Sequence, residues 1–190
     1  MKRQRQLTAL ILSLVILIFA GAAQQFGWFE TPIDQLEQNQ PGLYTVTRFS
    51  DGDTITVDMN GTKETIRMIG VDTPETHDPD TPVQCYGAAA SAYTKELIGE
   101  QKVRLEADPT NQNRDRYDRL LRYVYLPDGR LVQSELIKNG YGFSYTQFPF
   151  QKTEEFNALE TEAKANNRGL WGNCAVTVEA SGREQTNPAE

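Results

Sequence analysis

The chain has 190 residues, enough for one domain of ordinary size with terminal extensions. Its 26 acidic residues against 19 lysines and arginines give a formal net charge of −7, which argues against binding nucleic acid by bulk electrostatic attraction. A polyanion would have to meet a local positive group or a bound cation, and the single histidine excludes a mechanism that needs two.

The N-terminal residues have the composition of an export signal. Residues 7–23 are apolar, follow three basic residues and end among alanines and a glycine, as a secretory signal peptide does. The run is also about the minimum length for a transmembrane helix, so an uncleaved membrane anchor is the alternative. We expect residues 1–23 to be a signal peptide or membrane anchor and residues 24–41 to be a linker. The protein would then be secreted or extracytoplasmic, with or without a membrane tether through residues 7–23.

The compact domain is predicted over residues 42–174, and its first third shows the alternation of β-strands. Asn60-Gly61 is a strong signal for a type I′ hairpin turn between two of them. The predicted strands lie at residues 44–49, 54–58, 64–71, 102–106 and 120–126.

Three helices are predicted around these strands, at residues 86–98, 131–139 and 153–167, each closed by a glycine at its C-terminal end. Three strands, a helix, two strands and a C-terminal pair of helices suit an α+β fold built on a five-stranded Greek-key barrel of the OB type. Residues 175–190 form a polar tail, which we expect to be disordered beyond its first residues.

Two cysteines, Cys85 and Cys174, lie downstream of the apolar run. An even pair in an exported chain suggests one disulfide, and two unrelated buried thiols are the alternative. We interpret His77 as a loop residue rather than a catalyst.

A group of carboxylates follows the third predicted strand. Asp72 and Glu75 lie three positions apart, with Pro74 between them, and Asp53 lies in the neighbouring strand of the same hairpin. Such oxygen donors suit a hard cation, and one carboxylate that is free of the metal suits acid–base chemistry. The alternative is a solvated turn, which we favour for Asp51 because Asp-Gly is common in turns.

Arginines accompany these carboxylates in an otherwise acidic domain. Arg67 lies on the strand that leads to Asp72, and a second concentration precedes the fifth predicted strand. The planar guanidinium group suits bidentate phosphate binding. The alternative, a salt-bridged surface, is the interpretation that we favour for Arg114, Arg116 and Arg122.

Together these motifs resemble the staphylococcal nuclease (thermonuclease) family from about Tyr44 to Trp171. The motifs that carry the resemblance are Asp-Gly-Asp-Thr at 51–54, Ile-Arg-Met-Ile-Gly-Val-Asp-Thr-Pro-Glu-Thr at 66–76, Tyr-Gly at 86–87, Ala-Ser-Ala-Tyr-Thr-Lys at 90–95 and Asp-Arg-Tyr-Asp-Arg at 115–119. The resemblance implies a calcium-dependent enzyme that hydrolyses phosphodiester bonds in DNA and RNA and leaves 3′-phosphates. It implies three groups of site residues: Asp53, Asp72 and the Thr73 carbonyl for Ca²⁺, Glu75 as general base, and Arg67 and Arg119 for the phosphate.

Departures and rival interpretations stay open at this stage. Asp118 stands where the family commonly has glycine, and it could either pair with Arg119 or point to solvent.

Two rival functions are open to a chain with these motifs. A non-catalytic nucleic-acid-binding domain of the OB type is one rival, and a calcium-binding adhesion module is another. Non-catalytic copies typically lose the arginine–glutamate set, whereas Arg67, Glu75 and Arg119 are all present here, and an adhesion module leaves the two arginines without a role. We therefore favour the nuclease and expect a monomer.

Overall fold

The computed structural model describes residues 42–76 and 82–189. The predicted leader, the linker and His77 lie outside the described residues. Within the described part, no helix combines the length and the apolar character needed to cross a membrane.

The described chain forms a strand-rich first part and a helical second part, followed by a hairpin. In chain order the elements are β1 (Leu43–Phe49), β2 (Thr54–Met59), β3 (Thr62–Met68), β4 (Val71–Asp72), α1 (Gly87–Ile98), β5 (Lys102–Glu106), β6 (Leu120–Tyr125), α2 (Val132–Lys138), β7 (Phe143–Ser144), α3 (Thr153–Ala165), α4 (Leu170–Asn173), β8 (Val176–Val178) and β9 (Glu184–Thr186).

Five of the strands close into a barrel in the order β1, β2, β3, β6, β5. β3 and β6 run parallel, and the other neighbours run antiparallel. The predicted α+β fold with a five-stranded barrel and three helices is confirmed, and α4 is an additional short turn of helix.

The barrel interior is filled by the apolar positions of the alternating strands. Ile55 and Val57 on β2, Ile66 on β3, and Val103 and Leu105 on β5 are all fully buried. Side chains two positions apart point to the same face of a strand, so these residues point inward together. Burying one such side chain stabilises the fold by about 1.5–3 kcal/mol.

The third strand is shorter than its alternation predicts. The pattern predicts a continuous strand over residues 64–71, but β3 ends at Met68 and the chain turns at Gly70. Gly70 has a φ of +73°, and a Cβ there would lie 2.6 Å from the Phe150 ring, so glycine is required. After this turn the chain continues as β4, which pairs with β7 and not with the barrel, and so Asp72 lies on a separate two-stranded ribbon.

The C-terminal tail forms a hairpin, so the expectation of disorder is wrong for residues 176–189. β8 and β9 pair antiparallel, and the segment that follows them pairs with the residues before α1. There the Cys85 N–H donates to the Asn187 carbonyl (2.7 Å), and the Ala189 N–H donates to the Val83 carbonyl (2.7 Å). A polar composition does not reveal such backbone partners, which lie about a hundred residues away along the chain. We call residues 176–186 the C-terminal hairpin.

The predicted disulfide between Cys85 and Cys174 is present. It joins the segment before α1 to the residue that follows α4, just before the C-terminal hairpin begins. At the other end of the hairpin, the Thr186 hydroxyl donates to the Cys85 carbonyl (2.8 Å). Both ends of the hairpin are therefore attached to the same segment, one covalently and one by hydrogen bonds.

Candidate active site

Asp53 joins the turn before β2 to the loop after β4. Its side chain is buried and accepts hydrogen bonds from the Thr54 hydroxyl (3.0 Å), the Thr73 N–H (2.8 Å) and the Thr73 hydroxyl (3.2 Å). A Cβ on Gly52 would lie 2.7 Å from the Thr73 side chain, so this approach of the two loops requires glycine. The buried Thr94 hydroxyl of α1 donates to the Gly52 carbonyl (2.6 Å), which ties the same turn to the first helix.

Arg67 lies between the two carboxylates. Its Nη2 atom is 3.2 Å from Asp53 Oδ2 and 2.8 Å from Asp72 Oδ1, and its side chain is only 13% exposed. Its Nη1 donates to the carbonyls of Met68 (2.9 Å) and Val71 (2.6 Å), which are the residues on either side of the turn at Gly70. The turn that ends β3 therefore supplies the oxygens that hold the guanidinium in place.

Burial shapes the electrostatics of this cluster. Burial, together with the negative charge of Asp53, raises the pKa of Asp51 to about 7. Burial also raises the pKa of Asp72, in spite of the opposing charge of Arg67. Burial alone would lower the pKa of Arg67, but Asp53 and Asp72 outweigh it and the pKa is raised. Negative charge is therefore unfavourable in this buried cluster, and at Asp72 it is offset by Arg67 and by Arg183 of the C-terminal hairpin.

The donor set fits a hard cation, although the side chains are not gathered around one point. Among residues 42–76 and 82–189, no three histidine, cysteine, aspartate or glutamate side chains are grouped so as to hold a metal ion. The predicted ligands Asp53, Asp72 and Thr73 are nevertheless adjacent, because Thr73 follows Asp72 and donates two hydrogen bonds to Asp53. Carboxylate and carbonyl oxygens with water completing the shell are what Ca²⁺ takes in proteins. The donors present are thus of the chemical type that Ca²⁺ takes, and both carboxylates contact Arg67 in the free protein.

Glu75 lies in the loop that follows β4, and its backbone is fixed by a residue that the motifs did not indicate. The Glu75 N–H donates to Gln84 Oε1 (2.8 Å), and the Gln84 N–H donates to the Glu75 carbonyl (2.9 Å). One carboxylate oxygen of Glu75 accepts the Thr76 N–H (2.8 Å). A Cβ on Gly87 would lie 2.8 Å from the Glu75 carbonyl, so the start of α1 packs closely on this loop.

Arg119 lies at the start of β6, beside the strand that carries Arg67. β6 pairs in parallel with β3, and Leu120 is in register with Ile66. The Arg119 guanidinium contacts Asp115, with Nε and Nη2 each 2.7 Å from Asp115 Oδ2. It does not pair with Asp53 or Asp72, the carboxylates that Arg67 contacts. Burial works to raise the pKa of Asp115, but the hydrogen bonds from Arg119 outweigh it and lower the pKa.

Asp118 does not pair with Arg119, which decides between the two alternatives for this residue. Its side chain is 88% exposed, and its nearest cation is Arg114, whose Nε is 3.6 Å from Asp118 Oδ1. Its φ of +63° is in the left-handed region, which explains why glycine suits this position.

The three arginines without a predicted role in the site have different environments. Arg114 makes a bidentate ion pair with Glu64 (3.0 and 3.1 Å), and Arg116 donates to the Tyr117 hydroxyl (2.7 Å) on the surface. The surface interpretation is wrong for Arg122, which is fully buried and donates to Asn113 Oδ1 (2.6 Å). Burial and the nearby Arg114 lower the pKa of Arg122 to about 10. Arg122 is therefore a structural residue of the barrel.

Arg183, on the C-terminal hairpin, is a site residue that sequence reasoning missed. Its Nε donates to Asp72 Oδ2 (2.8 Å) across 111 positions of sequence. It lines a cleft of about 290 Å³ that Asp72, Tyr145 and Lys164 also line. No sequence signal pointed to it, because the tail has the composition of a disordered segment.

Comparison with known proteins places this site in context. Residues 65–173 match the family described as "Staphylococcal nuclease homologue". The chain is 45% identical over 138 residues to "Endonuclease YncB" of Bacillus subtilis (strain 168), covering 70% of this chain and 64% of that protein. It is 44% identical over 131 residues to "Thermonuclease" of Staphylococcus hyicus, covering 68% of this chain and 76% of that protein. It is 50% identical over 97 residues to "Thermonuclease" of Staphylococcus intermedius, covering 51% of this chain and 56% of that protein. The matches to the Bacillus subtilis and Staphylococcus intermedius proteins thus span less than two thirds of those proteins.

Proposed function

The chain belongs to the staphylococcal nuclease family, and on that premise we propose that it is a calcium-dependent nuclease that hydrolyses phosphodiester bonds in DNA and RNA. The observation that carries the proposal is the cluster in which buried Arg67 contacts both Asp53 and Asp72. Two buried carboxylates converge on this guanidinium, which puts oxygen donors for a hard cation beside a donor for phosphate. The relatives whose names are thermonuclease and endonuclease support the same activity.

Asp53, Asp72 and the backbone carbonyl of Thr73 would hold the calcium ion. When bound, Ca²⁺ supplies positive charge that balances the negative charge which builds up on the phosphate. An acidic protein needs such a local cation to bring a polyanion to a site lined by carboxylates, because its net charge repels nucleic acid.

Glu75 is the general base in this proposal. Its carboxylate accepts a proton from the attacking water, and the hydrogen bonds that Glu75 makes with Gln84 and Thr76 keep its loop in place while it does so. Arg67 and Arg119 bind the phosphate oxygens, which compete with the carboxylates that these arginines contact in the free protein. The water oxygen bonds to phosphorus as the bond to the 5′ oxygen breaks; the 5′ oxygen leaves with a proton taken from solvent, and a 3′-phosphate remains.

We further propose that the protein works outside the cytoplasm, either secreted or tethered through residues 7–23, and as a monomer. The apolar run supports export. The disulfide between Cys85 and Cys174 also supports it, since disulfides persist in oxidising compartments and are rare in the cytosol.

The direct experiment is a cleavage assay on plasmid DNA and on RNA, in CaCl₂, in ZnCl₂ and in excess chelator. We expect both nucleic acids to be cut in CaCl₂, with no cutting in chelator and full recovery when Ca²⁺ is restored. Binding without cleavage under all conditions would identify a non-catalytic OB-type domain. Full cleavage in chelator, or a clear preference for Zn²⁺, would overturn the metal assignment.

A further inference from the structure

Both oxygens of Asp72 are occupied by arginines in the free protein. Oδ1 accepts from Arg67 Nη2 and Oδ2 accepts from Arg183 Nε, each at 2.8 Å. Arg67 comes from the adjacent barrel strand, but Arg183 comes from the C-terminal hairpin. A cation that binds Asp72 must therefore share or displace one of the two guanidinium groups.

The hairpin holds Arg183 in place through contacts other than the one with Asp72. Glu184, the next residue, makes an ion pair with Lys164 of α3 (2.9 Å). The opposing strand and the Cys85–Cys174 disulfide fix the base of the hairpin. A folded element therefore positions Arg183 against Asp72.

Resting on the calcium site of the proposed function, we propose that Arg183 is a third arginine of the site and that it sets the cation affinity by competing for Asp72. A guanidinium within hydrogen-bond distance of Oδ2 repels a dication that approaches the same carboxylate. A bound cation therefore weakens the Arg183–Asp72 contact, and that contact lowers the affinity of Asp72 for the cation.

The experiment is a calorimetric titration of the purified, disulfide-bonded protein with CaCl₂, without nucleic acid. The variants are Arg183→Gln, which removes the charge, and Arg183→Lys, which keeps it. The matched control is Arg130→Gln, because Arg130 pairs with Asp128 in an exposed turn before α2 and contacts no site residue. We expect Arg183→Gln to bind Ca²⁺ about tenfold more tightly or better, while Arg183→Lys and Arg130→Gln stay close to wild type.

The outcomes separate this inference from the proposed function. If wild type and Arg183→Gln bind Ca²⁺ equally, or if Arg183→Gln binds more weakly, the competition is disproved and the calcium site stands. If neither protein binds Ca²⁺, the calcium site fails and the inference fails with it. Measurable binding by Arg183→Gln alone would support the inference in its strongest form. An equal rise in the Arg130→Gln control would show a general effect of net charge and would overturn the inference.

Discussion

The two arginines proposed to bind phosphate already contact carboxylates in the free protein. Arg67 bridges Asp53 and Asp72, and Arg119 is held by Asp115 from its own loop. Arg67 uses one nitrogen for both carboxylates, and Arg119 uses Nε and Nη2 for one carboxylate oxygen. Two oxygens of a phosphate can engage paired guanidinium donors that these carboxylates leave unmatched. The shape of the guanidinium therefore matters as well as its charge.

Changing Arg67 or Arg119 singly to lysine keeps the charge but removes the paired donors. We expect kcat/KM at saturating Ca²⁺ to fall by about 10³-fold for each variant. Arg116→Lys is the matched control, because Arg116 contacts Tyr117 and no carboxylate of the site, and it should stay within a few-fold of wild type. A collapse of Arg116→Lys with normal Arg119→Lys would show that the phosphate-binding arginine of this loop is misassigned.

Asp118→Gly tests whether the unusual residue beside Arg119 affects the site. Because Asp118 has a left-handed backbone and points to solvent, glycine should raise the free energy of unfolding by up to about 1 kcal/mol. The kcat/KM should stay within a few-fold of wild type. Urea unfolding and steady-state kinetics measure the two effects, and a large rise in kcat/KM would mean that Asp118 restrains Arg119 after all.

The motifs identified the residues of the candidate site but not their partners. Asp53 and Arg67 lie together because the β2–β3 hairpin brings its two ends together, which spacing predicts. Asp72 and Thr73 join them through the turn at Gly70, which spacing does not predict. Gln84 and Arg183 could not be found in this way. Their contacts depend on how α1 and the C-terminal hairpin pack, and that information is not local in sequence.

At the scale of elements, the turn at Gly70 positions the site. It ends β3, and the carbonyls on either side of it accept hydrogen bonds from Arg67. It also places Asp72 on the ribbon of β4 and β7. Alternation predicted the barrel strands because their inward positions repeat every second residue. It missed this break, since a glycine at an inward position of the pattern is compatible with a continuous strand.

Gly70→Ala should lower the free energy of unfolding by more than Gly61→Ala does. Both glycines have positive φ, so both substitutions carry backbone strain. A Cβ at Gly70 would also lie 2.6 Å from the Phe150 ring, whereas a Cβ at Gly61 would meet open space. We expect the difference to be about 1–3 kcal/mol in urea unfolding. Equal losses would show that the ring moves aside and that packing at Gly70 adds nothing.

At the level of the whole described chain, the disulfide links the segment before α1 to the residue after α4. The bond spans 89 positions, and the chain-entropy model gives it about 4–5 kcal/mol as an upper figure. Replacing Cys85 and Cys174 together with serine should therefore lower the urea midpoint strongly. Protein recovered from outside the cytoplasm should show no free thiol in non-reducing mass spectrometry, and two free thiols would contradict the bond.

For the whole molecule, the assignment of a nuclease active site depends on Glu75 as the general base, and Glu75→Gln tests that role most directly. The amide has nearly the same shape and can still accept the Thr76 N–H, but it cannot take a proton from water. The quantities to be measured are kcat and KM on one DNA substrate at saturating Ca²⁺. We predict a fall in kcat of about 10²–10⁴-fold with KM changed only a few-fold. Turnover close to wild type would contradict the assignment, because Glu75 would then be a structural residue of its loop.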